Sequence, residues 1–383
     1  MKKMLTSAVV LAVFSTPTIA ANLENPLYMP TSGELYSKTS AGIMYIKTDG
    51  NLARQAKDYV GAIEFPVWRI HEDIGVGITD WLTLRGSFTY THNGDIERQG
   101  LSNGRIGLNF RASEFLPTDG WVWDIYADAQ MGGLSKMNAD LVASKNPGIY
   151  PLSFNYDNYS NGRWGAWLGT QVGKTWGKFT GAAFVEAMHT FGNSNNKITV
   201  TPSGKDMVEF LVDETMHPIP LIGEAFASGL PDSFKVETKS TWEYNIGLRG
   251  LYEIDSKWSV GGAFTYKNRA ANKVEKVKAK VDTTAADATL ELLKPGLPLD
   301  VQYAIENGLL SGQTITEKVM SDFLGSMYDG IEEYIFTLSV AHQLNEIIQV
   351  AVYGEYTFDD AMIKSQNGTD IKWETGVRLN VRF

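Results

Sequence analysis

The sequence predicts an all-β fold, a transmembrane antiparallel β-barrel of about twelve strands, with a range of about ten to fourteen. Three observations predict it. Apolar and polar residues alternate over many short segments, the links between segments alternate in length, and the chain ends on such a segment, WETGVRLNVRF. Because successive side chains of a strand point to opposite faces, each segment has one mostly apolar face and one polar face.

The N-terminus has the features of a secretory signal peptide. It starts with MKK, continues as an apolar run through Phe14 and ends with the small-residue sequence TIA at Ala20. The apolar run is too short for the alternative, an uncleaved membrane anchor. We therefore expect a signal peptide over residues 1–20 and a single barrel domain over residues 21–383.

Composition narrows the possible classes. The net charge is −10, which argues against nucleic-acid binding, because that function needs a basic face. The chain has no cysteine, so disulfides, thiolate metal sites and lipid attachment at a cysteine are excluded. An acidic, cysteine-free, aromatic-rich chain with a signal segment indicates the Gram-negative cell envelope. No later apolar run is long enough for a transmembrane helix.

Alternation defines the expected strands one after another. In the last but one, Val350 and Val352 alternate with Gln349, Tyr353 and Glu355. The predicted strands are 35–48, 59–78, 81–91, 101–111, 121–131, 162–173, 177–191, 242–254, 256–267, 332–344, 348–358 and 373–383.

The links between these strands sort by length. Tight links are expected at 79–80, 173–175, 255–257 and 344–346, with a moderately long one at 112–120. Longer links are expected at 49–58, 92–100, 132–161, 192–233, 268–330 and 360–370. Short turns at one end and long loops at the other are typical of bacterial transmembrane barrels, and an even strand number puts both termini at the short-turn, periplasmic end. A soluble β-sandwich is the alternative, but it has no reason to sort its loops.

Aromatic residues lie at the ends of the apolar faces, as in the girdles of membrane barrels. They are Trp121, Trp164, Trp242, Trp258, Tyr266, Tyr356 and Trp373.

With its signal segment, barrel periodicity and closing Val381-Arg382-Phe383, the chain resembles Gram-negative outer-membrane β-barrel proteins of the porin-like kind. The resemblance implies a location in the outer membrane, contact with its lipid and lipopolysaccharide, and recognition of Phe383 by the barrel-assembly machinery. The turn from Gly75 to Leu84 also resembles a hairpin of barrels linked to uptake of aromatic or hydrophobic compounds.

If the apolar faces contact lipid, the opposite faces line the interior, because a charged side chain facing lipid is costly. Two interpretations stay open for these charges, a charged pore that acts on polar solutes and a structural salt-bridge network that fills the barrel. The candidate pore-lining residues are Arg85, Arg105, Arg111, Asp124, Asp128, Glu243, Arg249, Lys267, Glu355, Glu374, Arg378 and Arg382.

The two longest loops contain apolar residues at helical spacing, which predicts short helices. The segments are 290–293, 299–310 and 315–323 in one loop and 207–212 and 221–226 in the other. Such helices could form a constriction or lid, or an outer cap. A basic run formed by Lys273, Lys276, Lys278 and Lys280 is interpreted as a strand extension or as a contact for lipopolysaccharide phosphates.

No segment carries a strong catalytic or metal-binding signature. The sequence GTQVGKT, residues 169–175, is one residue short of a P-loop and lies between two strands. The five histidines have no metal-ligand spacing. We expect no enzyme activity, metal or cofactor. The leading hypothesis is a channel for passive diffusion of small polar solutes. The alternatives are a transporter of hydrophobic or aromatic compounds and a structural or surface-binding barrel that acts through its loops.

Overall fold

In the computed structural model the described residues form a barrel, an inner segment and part of the loops. They are residues 22–48, 63–93, 98–131, 138–141, 164–200, 209, 222–231, 233–270, 274–278, 281–316, 331–359 and 369–383. The expected signal peptide, residues 1–20, lies outside them.

Twelve long antiparallel strands form one closed barrel, which confirms the predicted fold class and strand number. The strands in chain order, with four short ones that lie outside the barrel, are β1 (Leu35–Thr48), β2 (Ile63–Thr79), β3 (Leu82–Asn93), β4 (Arg98–Arg111), β5 (Val122–Met131), β6 (Asn138–Leu141), β7 (Gly165–Trp176), β8 (Phe179–Thr190), β9 (Asn193–Val200), β10 (Ser233–Thr238), β11 (Thr241–Glu253), β12 (Trp258–Arg269), β13 (Val274–Lys278), β14 (Ile331–Gln343), β15 (Ile348–Asp359) and β16 (Thr369–Arg382).

The last strand closes the barrel against the first. β16 pairs antiparallel with β1, from Tyr36 opposite Arg382 to Thr48 opposite Thr369. At the end of this seam the backbones of Leu35 and Phe383 exchange hydrogen bonds of 2.8 and 3.1 Å. Closure leaves no unpaired strand edge, which a lipid environment requires.

The apolar face of each strand is the outer face. In β7 the side chains of Leu168 and Val172 are exposed, whereas those of Trp167 and Gln171, which have the opposite parity, are buried. The same holds in β11, where Leu248 is 60% exposed and Glu243 is 1% exposed. A soluble sandwich would show the reverse, so that alternative is wrong. No helix in the described part of the chain is long and apolar enough to cross a membrane.

One carboxylate departs from this pattern. Glu72 has the same strand parity as the exposed Ile70 and Ile74, so it lies on the outer face of β2. Its two carboxylate oxygens accept hydrogen bonds from the hydroxyls of Ser37 and Thr39 on the neighbouring β1. These bonds satisfy both oxygens within the sheet and offset part of the cost of placing a carboxylate on an apolar surface.

The short-turn end has one turn at a different place from the predicted one. The expected link at 173–175 lies inside β7, and the chain turns at Gly177 and Lys178 instead. Gly177 has a φ of +59°, the left-handed conformation that tight hairpin turns need and that glycine adopts most easily. The alternation runs on to Trp176, which packs edge-on against Trp121 of the neighbouring strand end.

The long loops contain a second sheet and three short helices. The four short strands form a sheet in the order β13-β10-β9-β6. The helices are α1 (Ile222–Ser228), α2 (Thr284–Leu293) and α3 (Leu299–Glu306), near three of the predicted positions. Ile222, Phe226 and Leu290 are buried between α1 and α2.

The remaining loop predictions meet the described residues only in part. The predicted helices 207–212 and 315–323 lie mostly outside them. Within the basic run, Lys276 and Lys278 belong to β13, a strand of the second sheet that pairs with β10. Lys273 and Lys280 lie outside the described residues.

Residues 22–34 precede β1 and form an inner segment that sequence analysis did not foresee. They bond to inward-facing side chains from strands around the whole short-turn end of the barrel, and Leu23 is 1% exposed. The segment therefore lies across the lumen at that end.

Two glycines make room for the inner segment. A Cβ added to Gly77 would lie 2.0 Å from the carbonyl oxygen of Thr31, and one added to Gly173 would lie 2.8 Å from a methyl carbon of Leu27. The backbones of Gly77 and residues 33–34 also exchange hydrogen bonds of 2.8 and 2.9 Å. The segment thus approaches the wall more closely than any side chain would allow.

We predict that Gly77→Ala undocks the segment, because the new Cβ cannot share space with the Thr31 carbonyl. Amides of residues 31–34 should exchange with solvent at least about tenfold faster, equivalent to about 1.4 kcal/mol, as measured by hydrogen–deuterium exchange. Gly86→Ala is the matched control, because its Cβ would point outward and meet its nearest atom at 3.4 Å. Unchanged protection in Gly77→Ala would contradict the close approach.

Candidate functional site

All twelve candidate residues share the inner face of the barrel wall. They alternate with exposed apolar residues, as Arg105 and Arg111 do with Ile106 and Leu108 in β4. The inner face is polar, and the structure brings several of the candidates into direct contact.

One group of charges pairs across the β3–β4–β5 wall. Arg85 donates two hydrogen bonds, of 2.8 and 2.6 Å, to the two oxygens of Asp128. Arg111 donates to Asp124 at 2.8 and 3.2 Å. Both are two-point guanidinium–carboxylate pairs, which fix the orientation of the side chains as well as neutralising them.

A second group of contacts involves β2, β12, β14, β15 and β16. Lys267 donates to Glu333 at 2.9 Å, and Arg69 lies 3.0 Å from Glu374. Glu355 faces Glu374 in the β15–β16 register. The Tyr353 hydroxyl donates a short hydrogen bond to Glu374, so this carboxylate is held from two sides.

Glu243 shows a different environment. It is 1% exposed, and one of its oxygens accepts a hydrogen bond of 3.4 Å from Asn245, two residues along the same strand. Register places Arg269 of β12 opposite Glu243. A carboxylate, an amide and a guanidinium therefore share this part of the inner wall.

The inner segment is held by two of the candidate arginines of β16. Arg378 donates to both oxygens of Glu24 at 2.9 and 3.1 Å, and Arg382 lies 3.4 Å from Glu34. Asn380 adds a hydrogen bond of 2.7 Å to Glu24. These residues thus anchor the segment in addition to lining the wall.

Electrostatics favour the ionised form of Glu24. Burial by itself raises the pKa of this carboxyl, but the positive charges of Arg378 and Lys38 and the hydrogen bond from Asn380 outweigh burial and hold the pKa below its ordinary value of 4.5. The ionised carboxylate is therefore the form that docks.

Two cations of the inner wall stack on rings. The guanidinium of Arg105 lies 3.9 Å from the ring centroid of Trp167, and that of Arg249 lies 4.0 Å from the ring centroid of Phe184. The nearest carboxylate to Arg249 is Glu186, at 3.9 Å. These two arginines are thus less neutralised than Arg85 or Arg111.

The wall and the inner segment enclose a cavity of about 270 Å³. Pro26, Tyr28 and Pro30 of the segment line one side. The charged wall residues that line it are Lys38, Asp73, Arg85, Arg105, Asp128, Glu186 and Arg249.

Sequence reasoning missed the inward aromatic residues and the inner segment. Tyr126 has the same strand parity as Asp124 and Asp128, and Trp167 the same parity as Gln171, so alternation was a usable signal. The candidate list was restricted to charged side chains, although a ring that holds a guanidinium suits the lumen equally well.

The two weak sequence signals for other chemistry, the P-loop-like stretch and the histidines, are not matched by a corresponding site in the described residues. The P-loop-like stretch, residues 169–175, is regular strand within β7. Across the described residues, no group of histidine and carboxylate side chains is arranged to hold a metal ion.

Comparisons with known proteins bear on the fold. No protein-family model and no curated protein sequence matches the chain. Among solved structures, the COG4313 outer membrane channel from Pseudomonas putida F1 matches with a TM-score of 0.50 and 10% identity, over 96% of this chain and 100% of that one. The NanC porin matches with a TM-score of 0.38 and 8% identity, over 90% and 98% of the two chains.

The closed barrel, the exposed apolar belt and the likeness to the COG4313 channel define the class of protein by its fold. The chain has the fold of bacterial outer-membrane β-barrels, which agrees with the predicted location in the outer membrane. At 10% identity the likeness extends to the fold and no further.

We predict that docking of the inner segment depends on pH through Glu24. Its pKa is lowered in the docked state, so its ionised form stabilises docking above about pH 4.5, and this stabilisation is lost as pH falls through the docked pKa. Since the chain has no cysteine, a nitroxide attached at Ser32→Cys is the single label on the protein and reports whether the inner segment is docked. The paramagnetic resonance spectrum of the label should show faster motion when the pH is lowered.

Glu24→Gln should weaken docking at neutral pH by about 1–2 kcal/mol and flatten the pH dependence. Glu346→Gln, in an exposed turn, is the matched control and should behave as the parent protein. An immobile label with unchanged pH dependence in Glu24→Gln would show that this carboxylate does not anchor the segment.

Proposed function

We propose that the protein is an outer-membrane channel for passive diffusion of small polar solutes. The observation that carries the proposal is the polar, charged inner face, which encloses a cavity within a closed barrel. A charged interior keeps water in the lumen, and water-filled lumens are what allow polar solutes to cross.

The twelve inward candidates are proposed as pore-lining residues with two kinds of role. Arg85, Arg111 and their carboxylate partners form two-point pairs that brace the wall. Arg105 and Arg249 lie against rings at the cavity and set the field that a solute meets. Both earlier interpretations, a salt-bridge network and a charged pore, therefore contribute to the proposal.

The inner segment is proposed as the constriction of the channel. It is held at the short-turn end by Arg378 and Arg111, the latter donating to the carbonyl of Leu27 at 2.7 Å. A solute passes beside the segment or displaces it. The predicted contacts with lipopolysaccharide and with the barrel-assembly machinery through Phe383 stay predictions.

A second candidate function is transport of hydrophobic compounds, favoured by one observation. The loop helices expose apolar side chains, with Leu292 at 79%, Leu299 at 82% and Leu309 at 66%. Such a surface is suited to capturing an apolar ligand. The polar lining of the cavity favours the first proposal.

Planar-bilayer recording of the purified protein tests the proposal. We predict ion-conducting openings, and a several-fold larger conductance when residues 22–30 are deleted, because the segment occupies the lumen. The heat-modifiable mobility of both proteins on gels checks that the barrel has formed. A folded protein that stays silent with and without the segment, yet takes up an apolar ligand, would overturn the channel in favour of the second candidate.

A further inference from the structure

We infer that the lumen cavity is a binding site for a small carboxylate anion, formed by Arg105 and Arg249. The role of such a site in permeation rests on the proposed channel function, whereas the binding itself does not. The inference comes from which charges of the cavity are neutralised within the wall.

The cavity's cations are unequally paired. Arg85 is neutralised by Asp128 through two short hydrogen bonds. Within the part of the chain that the structure describes, no carboxylate lies within ion-pairing distance of Arg105 or Lys38. Among the described residues, the carboxylate that pairs with Arg249 is Glu186, at 3.9 Å, and the Arg249 side chain is 41% exposed.

The carboxylates of the cavity are engaged elsewhere. Glu186 accepts a hydrogen bond of 2.6 Å from the Tyr126 hydroxyl and one of 3.3 Å from Asn245. Asp73 lies 3.2 Å from His71. Their negative charge is therefore already stabilised, and the cations retain capacity for an additional anion.

The two arginines offer donors that suit a planar anion. Their guanidinium carbons lie 3.9 and 4.0 Å from the centroids of the Trp167 and Phe184 rings, and the N–H donors of a guanidinium lie in the plane of the group. In-plane donors in this fork arrangement match the two oxygens of a carboxylate. A lysine at the same place would offer charge without that planar geometry.

Glycines and one hydrogen bond in turn position the aromatic rings of the wall. A Cβ on Gly247 would lie 2.6 Å from the Phe184 ring, and one on Gly169 would lie 2.3 Å from the Tyr126 ring. Trp167 is held by a hydrogen bond of 3.3 Å to Gln130. Glycine thus makes room for the ring beside Arg249, and a hydrogen bond holds the ring beside Arg105.

Size limits the anion. The cavity of about 270 Å³ is closed on one side by Pro26, Tyr28 and Pro30 of the inner segment. It lies just below the lower limit of about 300 Å³ for pockets that hold drug-sized ligands. A carboxylate with a small organic body fits this space, and a large oligomeric anion does not.

Fluorine NMR on the detergent-solubilised full chain tests the site with three probes of equal shape, 4-fluorobenzoate, 4-fluorobenzylammonium and 4-fluorobenzyl alcohol. We expect line broadening with the benzoate alone. The double variant Arg105→Gln/Arg249→Gln should weaken benzoate binding at least about tenfold, since it removes two charge-assisted donors. Lys257→Gln, which removes one positive charge from an exposed turn, should bind as the parent protein.

The variant Arg105→Lys/Arg249→Lys is a control for misfolding, because it keeps both positive charges of the cavity wall. It should bind the benzoate with intermediate affinity if planar donors matter. Equal binding of the alcohol, or unchanged binding in the glutamine double variant, would overturn the inference.

Bilayer recording then separates the two proposals. A channel that prefers anions, with the preference reduced in the glutamine double variant, supports both. Conductance without anion preference, together with no benzoate binding, overturns the site and leaves the channel. A silent protein that still binds the benzoate through the two arginines overturns the channel and leaves the site.

Discussion

Every backbone N–H and C=O group that crosses a lipid bilayer must find its hydrogen-bond partner within the protein, and the rest of this structure depends on that constraint. Twelve strands meet it by closing through the β1–β16 seam. Closure then dictates the side chains. Alternation turns one set outward to lipid and the other inward, so charges such as Arg85 and Glu374 share a narrow lumen and must be balanced there.

The lumen balances its charges in three ways. Two-point pairs brace the wall, as between Arg111 and Asp124. The inner segment supplies further carboxylates, with Glu24 between Arg378 and Asn380. Arg105 and Arg249 instead lie on rings beside the cavity. The first two arrangements stabilise the closed barrel, and the third leaves positive potential available to a solute, which is how stability and proposed function coexist on one face.

The inner segment connects packing to function. Its backbone approaches the wall at Gly77, and its side chain Leu27 packs against Gly173. It also forms one side of the cavity. A change that loosens the segment therefore alters the pore and the binding site together, whereas a change at Arg105 acts on the cavity alone.

Much of the wall was predictable, and the reason is local. A strand buries or exposes every second residue, so polar and apolar parity alone placed Arg85, Asp128 and Arg249 on the inner face. The position predicted for the hairpin turn, residues 173–175, was wrong because the alternation continues past it to Trp176. The turn is marked instead by the positive φ of Gly177. The inward ring of Trp167 was missed because only charged residues were taken as candidates.

The sequence by itself determined the barrel, its strand number and the polarity of each face, because these follow from periodicity within single strands and from the length of the links between them. Only the tertiary structure decided where residues 22–34 lie and which charges pair, since both depend on contacts between residues far apart in the chain, such as Arg378 with Glu24. The same long-range geometry left Arg105 on a ring and Arg85 in an ion pair. Two arginines with the same local pattern thus acquired different roles.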